Sequence, residues 1–415
     1  MRKVVLLAAA FTVALGVAAS SATSATSETG ITARAIVIGG SHPLTGPASP
    51  YATLSRAMTA YFSYINSRKG VDGKRGVYGR QIVYKVYDDG YNPANTVQVV
   101  RKLVEQDKVF AIVGALGTEH NEAIRPYLNQ NKIPQVLTAT GASTWFTDYA
   151  KYPWTSGWFP DYEFESRLYG QAIARNSPNA KIAVLLQNDS FGEDNLRGLK
   201  LGLGVKASNI VGEERFEVTA PDVRSQMAKL RGTGATVLVI FGTPRPTIQA
   251  YVIANALGWR PPVIYTTLVA ATDIILTLAQ TSGAGDLVNN TYSAAYLKDP
   301  ANPKWDNDAG MKLYKQVMAK YYPSGNVKDG LNVYGVAAAH AFVQLMYKAG
   351  KNPTRASLMK AYKTWSDTSP FLLPGNRVRT GGADQRPIDC LQMQKFTNGT
   401  FRPVTALRCR SDKGA

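Results

Sequence analysis

Residues Asp88 to Thr118, DDGYNPANTVQVVRKLVEQDKVFAIVGALGT, form one continuous unit: a strand end, a loop, a capped helix, a buried strand and an open loop. Asn92 is a helix-capping residue type, and Pro93 takes the first helical position, where a missing N–H costs nothing. Val97, Val100 and Val104 mark one helix face. The apolar run Val109–Leu116 then ends in Gly114-Ala115-Leu116-Gly117-Thr118. A buried parallel strand that opens into small residues and a hydroxyl is where an open α/β sheet presents polar groups to a ligand.

The same alternation runs on both sides of this unit. Before it come a strand at 35–40, a Gly/Pro-rich loop at 41–50, and a helix carrying Leu54, Met58, Tyr61, Phe62 and Ile65 at helical spacing, followed by a strand at 81–87. After it come a helix at 119–131, expected to be broken or kinked by Pro126, and a strand at 133–139. Composition shifts near Tyr152–Trp158, and a second series begins. Its strands fall at 181–187, 210–218, 235–242 and 262–267, with helices at 193–203, 222–231 and 247–257 between them. Helices at 304–322, 333–348 and 354–365 follow, and the tail from Phe371 reads as turns and short strands. The predicted fold is α/β with two lobes, each a parallel sheet flanked by helices. A cleft between them would be bordered by the C-terminal ends of both sets of strands, a favoured place for ligands.

A length of 415 residues exceeds one ordinary core and supports two domains. Residues 1–25 read as a signal peptide: Arg2 and Lys3 precede the apolar run Val4–Ala19, and Ala22-Thr23-Ser24-Ala25 offers a cleavage pattern. A membrane anchor is disfavoured, because the run is short for a bilayer and no aromatic or basic stop follows. The mature protein is therefore expected to be exported and soluble in the periplasm or cell envelope. In that setting Cys390 and Cys409 can bridge the hairpin expected around Asn398-Gly399; two free thiols are the alternative. The net charge of +18 favours anionic ligands or surfaces, but the basic residues are scattered without interleaved aromatics, which argues against nucleic acid.

Leu44-Thr45-Gly46-Pro47, Asp88-Asp89 with Pro93, Lys102-Leu103-Val104, Val109–Gly114, Ile133-Pro134, Asn188-Asp189 with Phe191-Gly192, and Ala256-Leu257-Gly258 occur in an order that resembles one family. This is the type I periplasmic solute-binding proteins of the branched-chain amino acid (Leu/Ile/Val-binding) ABC-transporter receptors. The resemblance spans about Ala35 to Pro403. It implies three crossovers, near 154–157, 292–297 and 370–374. Lobe one is then residues 34–155 and 296–370, and lobe two 156–295 and 371–415. It also implies closure around a small-molecule ligand and a membrane permease as partner; a monomer is expected.

Ligand residues carry over by position. Gly117 and Thr118 match the loop that binds the ligand carboxylate, and the start of a helix suits an anion. Ala139, Thr140, Gly141 and Ser143 match the segment after the fourth strand. Tyr51 matches the first-loop aromatic; Phe191 and Thr243 stand where tyrosines are frequent. Leu268 stands where amino-acid binders place the acid that pairs with the ligand ammonium. A buried ammonium without a carboxylate is costly, so a carboxylate lacking an amino group, including an aromatic acid, fits better. Tyr51, Trp158 and Phe191 suit its apolar body. The alternative, an amino acid or amide, needs another acid such as Asp161 or Glu163.

His42 and His120 fall in cleft loops, whereas His340 reads as packing in an Ala-rich helix. Arg245 can pair with a carboxylate or sit solvated. Asp88 and Asp89 read as structural. No G-x-S-x-G elbow, P-loop or H-E-x-x-H motif occurs, and Ile38-Gly39-Gly40-Ser41 lacks dinucleotide spacing. No enzymatic activity, metal or cofactor is expected; an exported hydrolase is the remote alternative.

Overall fold

The computed structural model describes residues 28–411. The expected signal segment lies outside them. The first sheet contains β1 (Ala35–His42), β2 (Gln81–Asp88), β3 (Ile112–Val113), β4 (Gln135–Thr138) and β5 (Thr155–Gly157), all parallel, in the order β2-β1-β3-β4-β5. The second contains β6 (Ile182–Gln187), β7 (Ile210–Phe216), β8 (Val237–Phe241), β9 (Val263–Thr266) and β10 (Thr291–Ala295). A short antiparallel pair, β11 (Ser366–Asp367) and β12 (Val378–Arg379), stands apart. The chain then returns to the second sheet with β13 (Cys390–Thr397) and β14 (Thr400–Cys409), giving the order β14-β13-β10-β9-β8-β6-β7.

Every residue of β6 and β8 is buried, so IAVLLQ and VLVIF show no alternation. Helices cover both faces of such strands, and continuous apolar runs are the result. On the first sheet, the helices Ala52–Ser67 and Gly330–Ala349 pack together, with Phe62 and Phe342 edge-on at 6.0 Å. His340 lies in this layer between Tyr61 and Phe371, at 5.9 and 5.6 Å, as packing. β13 and β14 pair antiparallel across the Asn398–Gly399 turn, and Cys390 and Cys409 stand opposite each other and are joined as a disulfide.

Several expectations need correction. The run Val109–Leu116 is buried throughout, but only Ile112 and Val113 sit in the ladder as a strand. Gly114 adopts φ +68° and turns the chain out of the sheet toward the ligand side. The buried face of the helix Pro93–Glu105 centres on Thr96, Val100 and Leu103, not on Val97 and Val104. Pro126 does not break the helix Thr118–Gln130. A whole helix, Tyr162–Asn176, escaped the periodicity reading. Its buried residues include Glu165 and Ser166, so no clean apolar stripe marks it. Asp161 caps it by accepting the Glu163 N–H at 2.9 Å.

Candidate functional site

A cavity of about 140 Å³ lies between the C-terminal edges of the two sheets. Apolar cavities of roughly this size take up a benzene-sized molecule. The two sides touch around it. Tyr51 Oη donates to the Val269 carbonyl at 3.0 Å, Ser190 Oγ to Glu122 Oε2 at 3.1 Å, and Ser143 N–H to Asp194 Oδ2 at 2.7 Å.

Of the residues expected to bind ligand, Tyr51, Gly117, Thr118, Ala139, Phe191, Thr243 and Leu268 line the cavity. Gly117 is the N-cap of the helix Thr118–Gln130, at φ +102°, where a Cβ would press on His120. The turn places the first N–H groups of that helix at the cavity wall, and such groups lack intrahelical partners. Thr118 Oγ1 is 2.8 Å from Thr140 Oγ1, and Thr140 also bonds the Tyr162 hydroxyl. Three hydroxyls thus form a chain from the helix start to the opposite side. Phe191 packs edge-on against Tyr162 at 5.0 Å.

Thr140, Gly141 and Ser143 do not line the cavity. Thr140 stands behind Thr118. Gly141 is packed against the Pro160 carbonyl, and Ser143 is engaged with Asp194 and Asp161. Trp158 is stacked on Trp365 at 5.4 Å, away from the lining. His120 lies against Tyr91 at 4.1 Å. His42 bonds Tyr84 Oη at 2.8 Å, and burial pushes its pKa down to about 3, so it is neutral. Arg245 reaches the Pro221 carbonyl at 3.4 Å and not the cavity. Asp88 accepts from Leu44, Thr45 and Gly90, and Asp89 from Ser41, Tyr91 and Thr96; both organise loops. Neither substitute acid is free: Asp161 is held by Arg386 and Arg410, and Glu163 by Arg197.

Sequence reasoning missed much of the wall. Tyr91, Phe159, Tyr162, Tyr296 and Tyr334 line it, and so do Asp273, Lys298, Asp299, Gln394 and Phe401. Tyr91 stood within the Asp88–Thr118 unit, and Phe159 and Tyr162 stood at the compositional shift. Nothing in the local pattern marked Asp273 or Asp299, which meet from distant segments. Lys298 is occupied, donating to Asp308 Oδ2 at 2.7 Å and to the Pro370 carbonyl at 2.8 Å. Asp273 Oδ1 accepts from the Phe401 N–H at 2.8 Å and Asp299 Oδ1 from the Ala301 N–H at 2.9 Å, while both Oδ2 atoms lack a hydrogen-bond partner and the two carboxyls influence each other electrostatically. Burial, and then the neighbouring Asp273, push the Asp299 carboxyl up to about 6; burial also raises Asp273. The pair therefore holds a proton at mildly acidic pH.

Raised carboxyl pKa values mean the folded state binds that proton more tightly than the unfolded one. Their stabilising contribution is full below about pH 4 and is lost as pH rises through about 6. Asp299→Asn is expected to flatten the stability profile between pH 4 and 6, as measured by urea unfolding. An unchanged slope would show that the pair does not share a proton.

Fold and site together define a two-lobed binder with its pocket between a parallel sheet and a mixed sheet whose last two strands are antiparallel. Residues 35–400 match the family model for periplasmic binding proteins, and the chain belongs to that family, in its type I branch. It is a solute-binding protein. A protein of Pseudomonas aeruginosa called an amino acid binding protein is 24% identical over 336 residues, covering 78% of this chain and 81% of that one. The fold recurs in many solved structures. A branched-chain amino acid ABC transporter protein from Thermus thermophilus with bound valine has TM-score 0.78 at 19% identity, covering 92% and 98% of the two chains. A fatty acid ABC transporter substrate-binding protein from Thermomonospora curvata gives 0.75 at 19%, covering 93% and 95%. A solute-binding protein from R. palustris in complex with benzoate gives 0.74 at 16%, covering 92% and 98%. Among the described residues no helix is long and apolar enough to cross a membrane.

Proposed function

We propose that this protein captures a small organic carboxylate with an apolar or aromatic body and delivers it to the permease of an ABC importer. The carrying observation is the cavity's asymmetry. One wall is the start of the helix Thr118–Gln130, suited to an anion, and the rest is largely aromatic and aliphatic, including Tyr51, Phe159, Phe191, Leu268 and Tyr334. The relatives that bind benzoate and fatty acid support a ligand without an ammonium group. We assign the signal peptide to residues 1–25, lobe one to 34–155 and 296–370, and lobe two to 156–295 and 371–415. The mature monomer works in the periplasm or cell envelope, its lobes closing on the ligand by hinge motion. Binding without turnover is the expected chemistry.

A second reading, an amino acid or amide, is favoured by one observation: Asp273 and Asp299 both line the cavity. A thermal-shift screen of the mature protein separates the two. Benzoate or octanoate is expected to stabilise it by about 2.7 kcal/mol at one hundred times the dissociation constant. Strong shifts with leucine, isoleucine or valine and none with the non-amino acids would sink the carboxylate reading. Thr118→Ala is expected to weaken carboxylate binding about tenfold, near the value of one hydrogen bond to a charged group, with the fold retained. Unchanged affinity would remove Thr118 from the site.

A further inference from the structure

One cavity residue is held in a backbone conformation that its side chain disfavours. Among the described residues six non-glycine positions have positive φ, and only Tyr91, at φ +58°, also lines the cavity. For a bulky residue this region is an outlier, and such strain persists only where the surroundings fix it. Here they do. The Tyr91 N–H donates to Asp89 Oδ1 at 3.0 Å. Asp89 is buried, and its Oδ2 accepts from Ser41 Oγ at 2.6 Å and from Thr96 Oγ1 at 3.2 Å. On the other flank the Asn92 N–H donates to the Asp89 carbonyl at 3.0 Å, and the Asn92 side chain caps the helix Pro93–Glu105. The phenol ring held in this way rests at the anion end of the cavity. A Cβ on Gly117 would lie 3.1 Å from Tyr91 Cε2, so the ring edge abuts the residue that caps the helix Thr118–Gln130. His120 backs the ring, with centroids 4.1 Å apart and planes tilted by 32°, and does not itself line the cavity. Burial lowers the His120 pKa, so the backing is neutral.

We infer that Tyr91 is a specificity-determining residue, whose ring meets the ligand beside its carboxylate and selects a planar, aromatic acid over a saturated one of the same size. This rests on the carboxylate reading of the site and narrows it to aryl carboxylates. A carboxylate held by the first amides of the helix Thr118–Gln130 places the carbon that bears it beside Gly117, and therefore beside the Tyr91 ring. In an aryl acid that carbon is flat, and the ligand ring can lie stacked or edge-on against the phenol. Such a pair gains more than its buried area alone provides. In a saturated acid the same carbon carries substituents out of the plane, which hold the two rings apart. The phenol cannot move aside to admit them, because Gly117 meets its edge, His120 its face, and Asp89 fixes its backbone. The size of the cavity agrees: about 140 Å³ suits a body of one benzene-sized ring.

The test is calorimetric titration of the mature protein with benzoate, cyclohexanecarboxylate and leucine. The two non-amino acids share a six-membered ring and a carboxylate and differ in planarity. The unaltered protein is expected to bind benzoate about tenfold more tightly than cyclohexanecarboxylate. Tyr91→Phe keeps the ring and is expected to keep that ratio. Tyr91→Asn removes the ring with a residue type that tolerates positive φ, and the ratio is expected to fall to about twofold or less. Tyr91→Gly, which is free at this φ, is the second ring-free variant, and the same fall is expected of it. A purely structural role would change both affinities in proportion and leave the ratio alone. Equal affinity for the two acids in the unaltered protein, or a ratio that survives in the ring-free variants, overturns the role of Tyr91 and leaves the carboxylate function standing. Binding of neither acid by the unaltered protein, with or without binding of leucine, counts against the carboxylate function itself and takes the inference with it.

Discussion

Asp161→Ala is expected to lower the unfolding free energy by about 3–5 kcal/mol, the scale of breaking a buried charge pair from one side. Asp161 is buried at the boundary between the two sheets' territories, and four groups depend on it. Arg386 Nε and Arg410 Nη1 donate to Oδ2 at 2.8 and 3.3 Å, and Ser143 Oγ and the Glu163 N–H donate to Oδ1 at 3.2 and 2.9 Å. The substitution leaves Arg386 without its close partner and removes the cap of the helix Tyr162–Asn176. Arg410 is a third exposed and contributes less, because water can replace its partner. Asp161→Asn keeps the cap and loses the charge, so its midpoint in urea should fall between those of the unaltered protein and the alanine variant. Tyr162, the next residue, lines the cavity, so ligand affinity should fall with stability. A midpoint within experimental error of the unaltered protein for Asp161→Ala would show that the arginines are satisfied elsewhere.

Removing the Cys390–Cys409 bridge is expected to cost about 3 kcal/mol, the loop-closure value for a ring of this length. The bridge ties the open ends of β13 and β14 at the edge of the second sheet, opposite their Asn398–Gly399 turn. These strands bring Gln394 and Phe401 to the cavity. Reduction with dithiothreitol, or the double Cys→Ser variant, should therefore lower the urea midpoint and weaken ligand binding together. Lost stability with unchanged affinity would separate the hairpin from the ligand wall.

Much of the fold was legible in the sequence where local and global preferences agree. The buried parallel strands β6 and β8, the Asn92-Pro93 helix start and the Asn-Gly hairpin are local patterns that the tertiary structure keeps. Reading failed where burial is polar. The helix Tyr162–Asn176 hides Glu165 and Ser166 among apolar residues, which erases the amphipathic signal.

For the site, the sequence by itself determined that a loop of small residues and Thr118 opens a helix at a strand end. That follows from chain-local chemistry: glycine for the turn, a hydroxyl, and unpaired amides. Only the tertiary structure decided what faces it. Asp273 meets Asp299, Phe401 arrives from the C-terminal hairpin, and Glu165 stands behind Leu268, each pair separated by segments that carry no sign of the meeting. The physical reason is that strand-end loops are positioned by the packing of two sheets, and that packing is a property of the whole chain. Leu268 alone suggested a wall without an acid, and the fold placed one an amide's length away.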